Sequence, residues 1–341
     1  MKSANEELKR ITDIILTREE EYGELKNACD DLFQFFLELS DLNLESEESK
    51  KDYFLPGGKA IGTVWAGMCV KEFMRTKKFL TGIYKAVQRA QERFSGQPVH
   101  ILYAGSGPFG TLLVPLTTRF QPEEIQITFL EINEESLEKL KRIIKELEID
   151  SYVKDIVLCD ASDYQVDRQD PIHMVVTETM QRALYKEPQV SITANLVPQM
   201  AEGGILIPQN IKIDASLLDS KRDLERMTGV EGAEQDFSFY IDTILELNQT
   251  SIKEYSRETH TFPECEVYLP DKMEDRFDSF SLFTDIQVFE DEILTYMQCS
   301  LNMPYHIMKK RVMEAESAGR RKIGLQYMVG EVPGFQYRWL S

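Results

Sequence analysis

The sequence predicts an α/β fold, in which a parallel sheet follows an N-terminal helical segment and precedes a C-terminal, mainly antiparallel β region. Three observations carry this. Between residues 99 and 210, short apolar runs alternate with helical patterns, as βα units do. Before residue 95, apolar residues recur at helical spacing. After about residue 210 the helices drop out, and apolar residues begin to alternate with polar ones. A chain of 341 residues has room for two domains, or for one domain with additions. The expected divisions are a helical cap over 1–95, the parallel-sheet unit over 96–210, and a β-rich region with a helical insertion over 211–341.

Composition narrows the class. Hydrophobic residues make up 42% and charged residues 28%, as in soluble globular proteins. Cys29, Cys69, Cys159, Cys265 and Cys299 are scattered without a CxxC pair and read as free thiols of a reducing compartment. His100, His173, His260 and His306 show no metal-ligand spacing. A net charge of −19 argues against nucleic-acid binding by phosphate neutralisation. The same charge can steer a small cationic molecule inward. No apolar run approaches the ~20 residues that span a bilayer. The opening MKSANEELKRITD lacks the apolar core of a signal peptide. A cytoplasmic protein with no membrane partner is expected.

The elements follow in order. Residues 4–44 predict two helices, with Leu8, Ile11, Ile14 and Ile15 on one and Leu32, Phe35, Phe36 and Leu39 on the other. Residues 45–52 form a charged loop, and 53–58, YFLPGG, a turn. Residues 64–94 carry few breakers and predict one or two helices, closed by the SGQP of 95–98. Strands are expected at 99–103, 125–130, 154–158, 172–176 and from Ile205 onward. A helix bearing Leu137, Leu140, Ile143, Ile144 and Leu147 separates the second strand from the third. Another, over 189–200 and ended by Gly203-Gly204, precedes the fifth. Ile211, Ile213 and Ala215 alternate with polar residues, as a half-exposed strand does. Residues 219–256 read as mostly helical or irregular, 283–302 and 321–339 as strands, and Pro333-Gly334 as a turn.

Chemistry concentrates at the ends of the predicted strands. Residues 100–115, HILYAGSGPFGTLLVP, read as a strand, a turn with Gly105, Gly107 and Gly110, and an apolar run that can start a helix. Glycine admits positive φ and lets a ligand lie against the backbone. A helix beginning there would add unpaired N–H groups. The GxGxxG spacing is shared with dinucleotide-binding folds. Glu131, directly after the second strand, offers two acceptor oxygens to the hydroxyls of a ribose. Nicotinamide enzymes use the same device. Asp160 and Ala161, after the third strand, offer an acid and a backbone N–H to an adenine. These residues point to a nucleoside cofactor without choosing one, so a nicotinamide oxidoreductase stays compatible with them. After the fourth strand, Glu178 and Glu187 stand nine residues apart around a turn. Two converging carboxylates can grip a guanidinium, a planar cation with five donors. Two solvated loop acids are the plain alternative.

Residues 99–213 resemble the class I methyltransferases that use S-adenosyl-L-methionine (SAM). Glu178, Met180 and Glu187, with Gly203-Gly204 and Pro208 beyond them, resemble the double-glutamate loop of the protein arginine methyltransferases. Arg75-Thr76 is similar to an Arg-Thr pair that this family carries in a helix before the sheet. The resemblance implies a Rossmann-like class I methyltransferase sheet with SAM as cofactor. Gly105, Ser106 and Gly107 would lie against its methionine part, Arg75 at its carboxylate, Glu131 at its ribose, and Asp160 and Ala161 at its adenine. Glu178 and Glu187 would be the catalytic pair, with no metal, and a homodimer is implied by resemblance alone.

Two departures bear on the acceptor. Trp65 and Trp339 are the only tryptophans, and neither follows the Thr-His pair of the family's C-terminal region. Gln181 stands where the family has glycine. Together with the helical cap, these shift the expected acceptor from a polypeptide to a small guanidino compound such as free arginine. Methylation of another small-molecule nitrogen or oxygen, and SAM binding without turnover, are the alternatives.

Overall fold

The computed structural model describes residues 3–17, 21–230, 236–309 and 321–340. Helices α1 (Ala4–Thr17) and α2 (Tyr22–Ser40) form an N-terminal layer. Leu8, Ile11 and Ile15 on α1, and Leu25, Leu32, Phe33 and Phe36 on α2, are buried. Their spacing puts each set on one helix face. At its end α2 turns off at Asp41, a left-handed residue (φ 54°) whose N–H donates to the Leu37 carbonyl. The segment read as a plain turn carries a small hairpin, β1 (Tyr53–Leu55) with β2 (Gly58–Ala60). Then α3 (Thr63–Met68) and α4 (Phe73–Arg93) follow as two helices, joined by the 3-10 turn Cys69–Lys71.

The central sheet contains β3 (Val99–Ala104), β4 (Ile125–Glu131), β5 (Val153–Leu158), β6 (Ile172–Thr177) and β7 (Met200–Ile207). All neighbours pair in parallel, in the order β5-β4-β3-β6-β7. Every residue of β3 and β6 is buried, because helices cover both faces of an inner parallel strand. Helix α5 (Glu134–Glu146) starts at Asn133, whose side chain accepts from the Glu135 and Ser136 N–H groups. Its stripe of Leu137, Leu140, Ile143 and Ile144 is buried. Helix α6 (Gln189–Leu196) lies between β6 and β7. The chain winds outward from β3 through β4 to β5, then crosses to β6 on the other side. A crevice opens beyond the carboxyl ends of the strands at such a reversal.

Three expectations in this unit are corrected. The apolar run after Gly110 does not start an α-helix; Val114–Thr118 is a 3-10 turn, because Pro115 lacks the N–H a longer helix would use. The helix expected over 189–200 ends as α6 at Leu196, and Val197–Gln199, containing Pro198, tightens to 3-10 geometry. The fifth strand begins at Met200, not Ile205. Gly203-Gly204 lies inside it, where the register against β6 shifts between Ile172 and Met174.

The C-terminal region is antiparallel. Its elements are β8 (Asn210–Leu218), α7 (Ser220–Met227), β9 (Ser238–Asn248), β10 (Cys265–Tyr268), β11 (Ser279–Phe289), β12 (Glu292–Leu294), β13 (Tyr305–Lys309), β14 (Lys322–Met328) and β15 (Gly334–Leu340). One sheet runs β12-β11-β8-β9, with β13 also on β11; another runs β10-β14-β15. The reading of 219–256 as mostly helical or irregular fails at β9; residues 231–235 of that span lie outside the described residues. The β8–β9 ladder shifts register twice, so the two-residue period that would reveal the strand is broken. The strand read at 283–302 starts earlier, as β11, and gives way to β12 and then to the 3-10 turn Ser300–Asn302. Among the described residues no helix is long and apolar enough to cross a membrane.

Candidate active site

A cavity of about 650 Å³ lies beyond the carboxyl ends of β3, β4 and β6. All nine residues singled out from the sequence line it: Arg75, Gly105, Ser106, Gly107, Glu131, Asp160, Ala161, Glu178 and Glu187. The fold explains the gathering. The glycine turn leaves β3, Glu131 ends β4, Asp160 follows β5, Glu178 follows β6, and Arg75 sits on the first turn of α4.

The glycine turn is braced from three directions. Gly105 and Gly107 have φ of 73° and 62°, which side chains resist. A methyl added at Gly105 would also overlap Cγ2 of Thr179. At Gly107 the nearest atom to such a methyl is Ala66 Cβ, 3.7 Å away, so the backbone there is open on one side. Phe109 is fully buried, its ring 5.5 Å from that of Phe36 and 6.2 Å from that of Phe33 on α2.

The Glu131 carboxylate supplies the third brace. Its Oε2 accepts from the Gly107 N–H at 2.7 Å, and its Oε1 accepts from the Ile132 and Asn133 N–H groups at 3.0 Å each. A carboxylate offers about four acceptor positions, so one remains for a ribose hydroxyl where two were expected. Burial raises the Glu131 pKa, and the three N–H donors pull it back toward the ionised form. Asp160 is also part occupied: Oδ1 accepts from the Ser162 N–H at 2.8 Å and from its hydroxyl at 2.7 Å.

The acid pair meets a cation already in place. The part-buried Arg75 guanidinium donates from Nη1 to Glu72 at 2.9 Å and from Nη2 to Oε2 of Glu178. The Glu178 side chain is 6% exposed, and its Oε1 is buried with no hydrogen-bond partner. Leaving an acceptor in that state costs about 1–3 kcal/mol, which a donor from a ligand would recover. Glu187 is buried as well, and burial raises its pKa. A hydrogen bond from the Gln181 side chain pulls it back, aided by the charges of Arg75 and Lys59, while Asp52 pushes it up.

The loop between the two glutamates is held rigidly. Ala183, Leu184 and Lys186 have φ of 54°, 55° and 71°, costly for residues with side chains. Its surroundings enforce this. The Ala183 N–H donates to Thr284 Oγ1 at 2.9 Å, Tyr327 donates its hydroxyl to the Leu184 carbonyl at 2.7 Å, and the Lys186 N–H donates to the Pro333 carbonyl at 2.9 Å. From the other side, the Lys59 N–H on β2 donates to the Lys186 carbonyl at 2.8 Å.

The sequence reading missed several residues of this site. Thr179, Lys59, Asp52 and Arg182 line the cavity, and Glu72 braces Arg75. Only Glu72 left a signal: an acid three residues before Arg75 shares its helix face. Among the described residues no group of three His, Cys, Asp or Glu side chains gathers as a metal site would require.

Comparison with known proteins adds the fold. No protein-family model matches the sequence, and no curated protein matches it. Solved structures do. The Trypanosoma brucei PRMT1 enzyme–prozyme heterotetrameric complex with AdoHcy aligns at TM-score 0.50 and 12% identity, covering 80% of this chain and 96% of that one. Arabidopsis thaliana protein arginine methyltransferase 10, in an open conformation, aligns at TM-score 0.47 and 10% identity, covering 75% of this chain and 84% of that one. PRMT6 aligns at TM-score 0.49 and 10% identity, covering 75% and 95%. The chain is similar in fold to the trypanosomal structure, with a central parallel sheet, N-terminal helices and a C-terminal antiparallel β region.

Proposed function

We propose that this protein is a SAM-dependent N-methyltransferase whose acceptor is a guanidino nitrogen of a small cationic molecule, free arginine or a related guanidino compound. The observation that carries this is the pair of buried carboxylates lining one cavity, one with an unpartnered oxygen, together with a glycine turn at the sheet's point of reversal. The trypanosomal structure of like fold holds AdoHcy, which supports SAM as the cofactor.

The residues present fit SAM. Gly107 leaves its backbone open, Glu131 keeps one acceptor position, and Asp160 commits only Oδ1 to its own turn. Arg75 has five N–H donors, and its two acid partners engage two of its nitrogens. Bound SAM supplies a methyl group on a sulfonium, open to in-line displacement.

The protein's own part is positioning and charge. Glu178 and Glu187 grip the guanidinium through its donors and orient one nitrogen toward the methyl carbon. That Glu178 holds the guanidinium of Arg75 supports its fitness for such a cation. The acids also stabilise the positive charge that arrives on the acceptor. A proton then leaves the methylated nitrogen, so no strong base has to act before transfer.

The test is incubation with labelled SAM and a panel of free arginine, guanidino acids, arginine-rich peptides and amines without a guanidino group. Label on the small guanidino compounds is the expected result. Transfer only to a hydroxyl or carboxyl acceptor overturns the reading. Glu178→Gln is expected to lower kcat/KM by about 100-fold or more, with SAM affinity by calorimetry near that of the unsubstituted protein. Full activity in that variant would remove the acid pair from the mechanism.

A further inference from the structure

We infer that Arg182 anchors a free carboxylate on the acceptor, so that the substrate is a guanidino acid and not its amide, its decarboxylated amine or an internal arginine of a polypeptide. This rests on the guanidino reading given above. Three cationic side chains line the cavity: Lys59, Arg75 and Arg182. Lys59 is paired with Asp52, and Arg75 with Glu72 and Glu178. Arg182 has no acidic partner among the described residues, in a chain with 58 acids to 39 Lys and Arg. Arg182 lines the cavity and is itself exposed, so its charge is open to an anion arriving from outside.

Its place on the chain gives the anion a partner charge. Arg182 lies on the turn joining Glu178 to Glu187, four residues from the first and five from the second. The hydrogen bonds that this turn makes to Thr284 and Pro333 and receives from Tyr327 and Lys59 also fix where the Arg182 side chain leaves the backbone. Arg182, Glu178 and Glu187 all line the one cavity, so its cationic and acidic groups face a shared space. Extended free arginine separates its guanidinium and carboxyl carbons by six bonds, roughly 7 Å. The acids take one end. A guanidinium fork takes a carboxylate at the other in a bidentate, charge-assisted pair. An internal arginine has that carboxyl locked in a peptide bond and would leave Arg182 facing a neutral amide.

The experiment compares free arginine, arginine amide and agmatine, the decarboxylated analogue, by kcat/KM. Their binding to the protein loaded with S-adenosylhomocysteine is measured by calorimetry. The unsubstituted protein should favour arginine over both analogues by roughly 30- to 100-fold in each readout, the worth of a bidentate charge-assisted pair. Arg182→Ala should collapse that ratio toward one, and Arg182→Lys should keep part of it. Arg182→Glu should invert it in favour of agmatine. A uniform loss on all three compounds with the ratio preserved means that Arg182 only shapes the loop, and overturns the inference. Equal use of the three by the unsubstituted protein also overturns it and leaves the guanidino reading standing. Methylation of none of them, with transfer to an acceptor lacking a guanidino group, removes both.

Discussion

Gln181 opposes the burial that favours the neutral form of Glu187. Burial raises the Glu187 pKa above its ordinary 4.5, and the Gln181 hydrogen bond is the largest influence opposing that rise. A neutral Glu187 cannot balance a guanidinium, so activity is lost as pH falls through the raised value. The acid limb of a kcat/KM profile should therefore lie above the usual glutamate range. Gln181→Ala withdraws the hydrogen bond that favours the ionised form, and should move that limb to still higher pH. A limb that stays in place would mean that Glu187 does not control binding. At this scale the residues that gather around the cavity were legible and their partnerships were not. Glu131 with Gly107, and Arg75 with Glu178, join residues 24 and 103 positions apart, which no local pattern reveals. Arg182 carried no motif at all; it became visible only when the loop and the cavity were seen together.

The glycine turn is the element whose failure is easiest to forecast. Gly105→Ala meets two separate penalties: a left-handed φ, worth about 1–2 kcal/mol, and the methyl of Thr179. Thr179→Ser removes that methyl and keeps a hydroxyl for its contact with Gln189. The double variant should recover SAM binding, measured by calorimetry, relative to Gly105→Ala alone, while staying below the unsubstituted protein because the φ penalty remains. Failure of the second change to rescue any binding would mean that the overlap is relieved by other movement. Strands and helices with an unbroken period were legible, as for β3, β6 and the Leu137-to-Ile144 stripe of α5. Elements were misread where a local irregularity cut the period: Pro115 after the turn, Gly203-Gly204 inside β7, and the two register shifts along β9.

For the whole molecule, acid stability should be set in part by His100, buried at the second position of β3. Its Nε2 lies 2.9 Å from Thr128 Oγ1, and its Nδ1 lies 3.4 Å from Asp170 Oδ1. Burial lowers its pKa from 6.5 to about 4; Asp170 opposes the shift, and Lys154 and His173 add to it. The unfolded chain thus takes up this proton at a higher pH than the fold does. Stability from the neutral imidazole is present above about pH 6.5 and is lost as pH falls toward about 4. Urea midpoints of the unsubstituted protein and His100→Gln, compared at pH 7 and pH 5, should show a smaller acid loss in the variant. Glu131 and Glu187, whose pKa values are raised, act with the opposite sign, so only the comparison isolates His100. The layered order of the fold was legible from where each periodicity starts and stops. The strand order was not, because it depends on which way the chain crosses after β5.

The contact of Phe109 with Phe33 and Phe36 joins the glycine turn to a helix that lines no part of the cavity. Docking of that helix and occupancy of the turn are therefore linked equilibria. Whatever free energy a bound cofactor contributes to holding α2 in place, α2 must return in full as affinity for the cofactor.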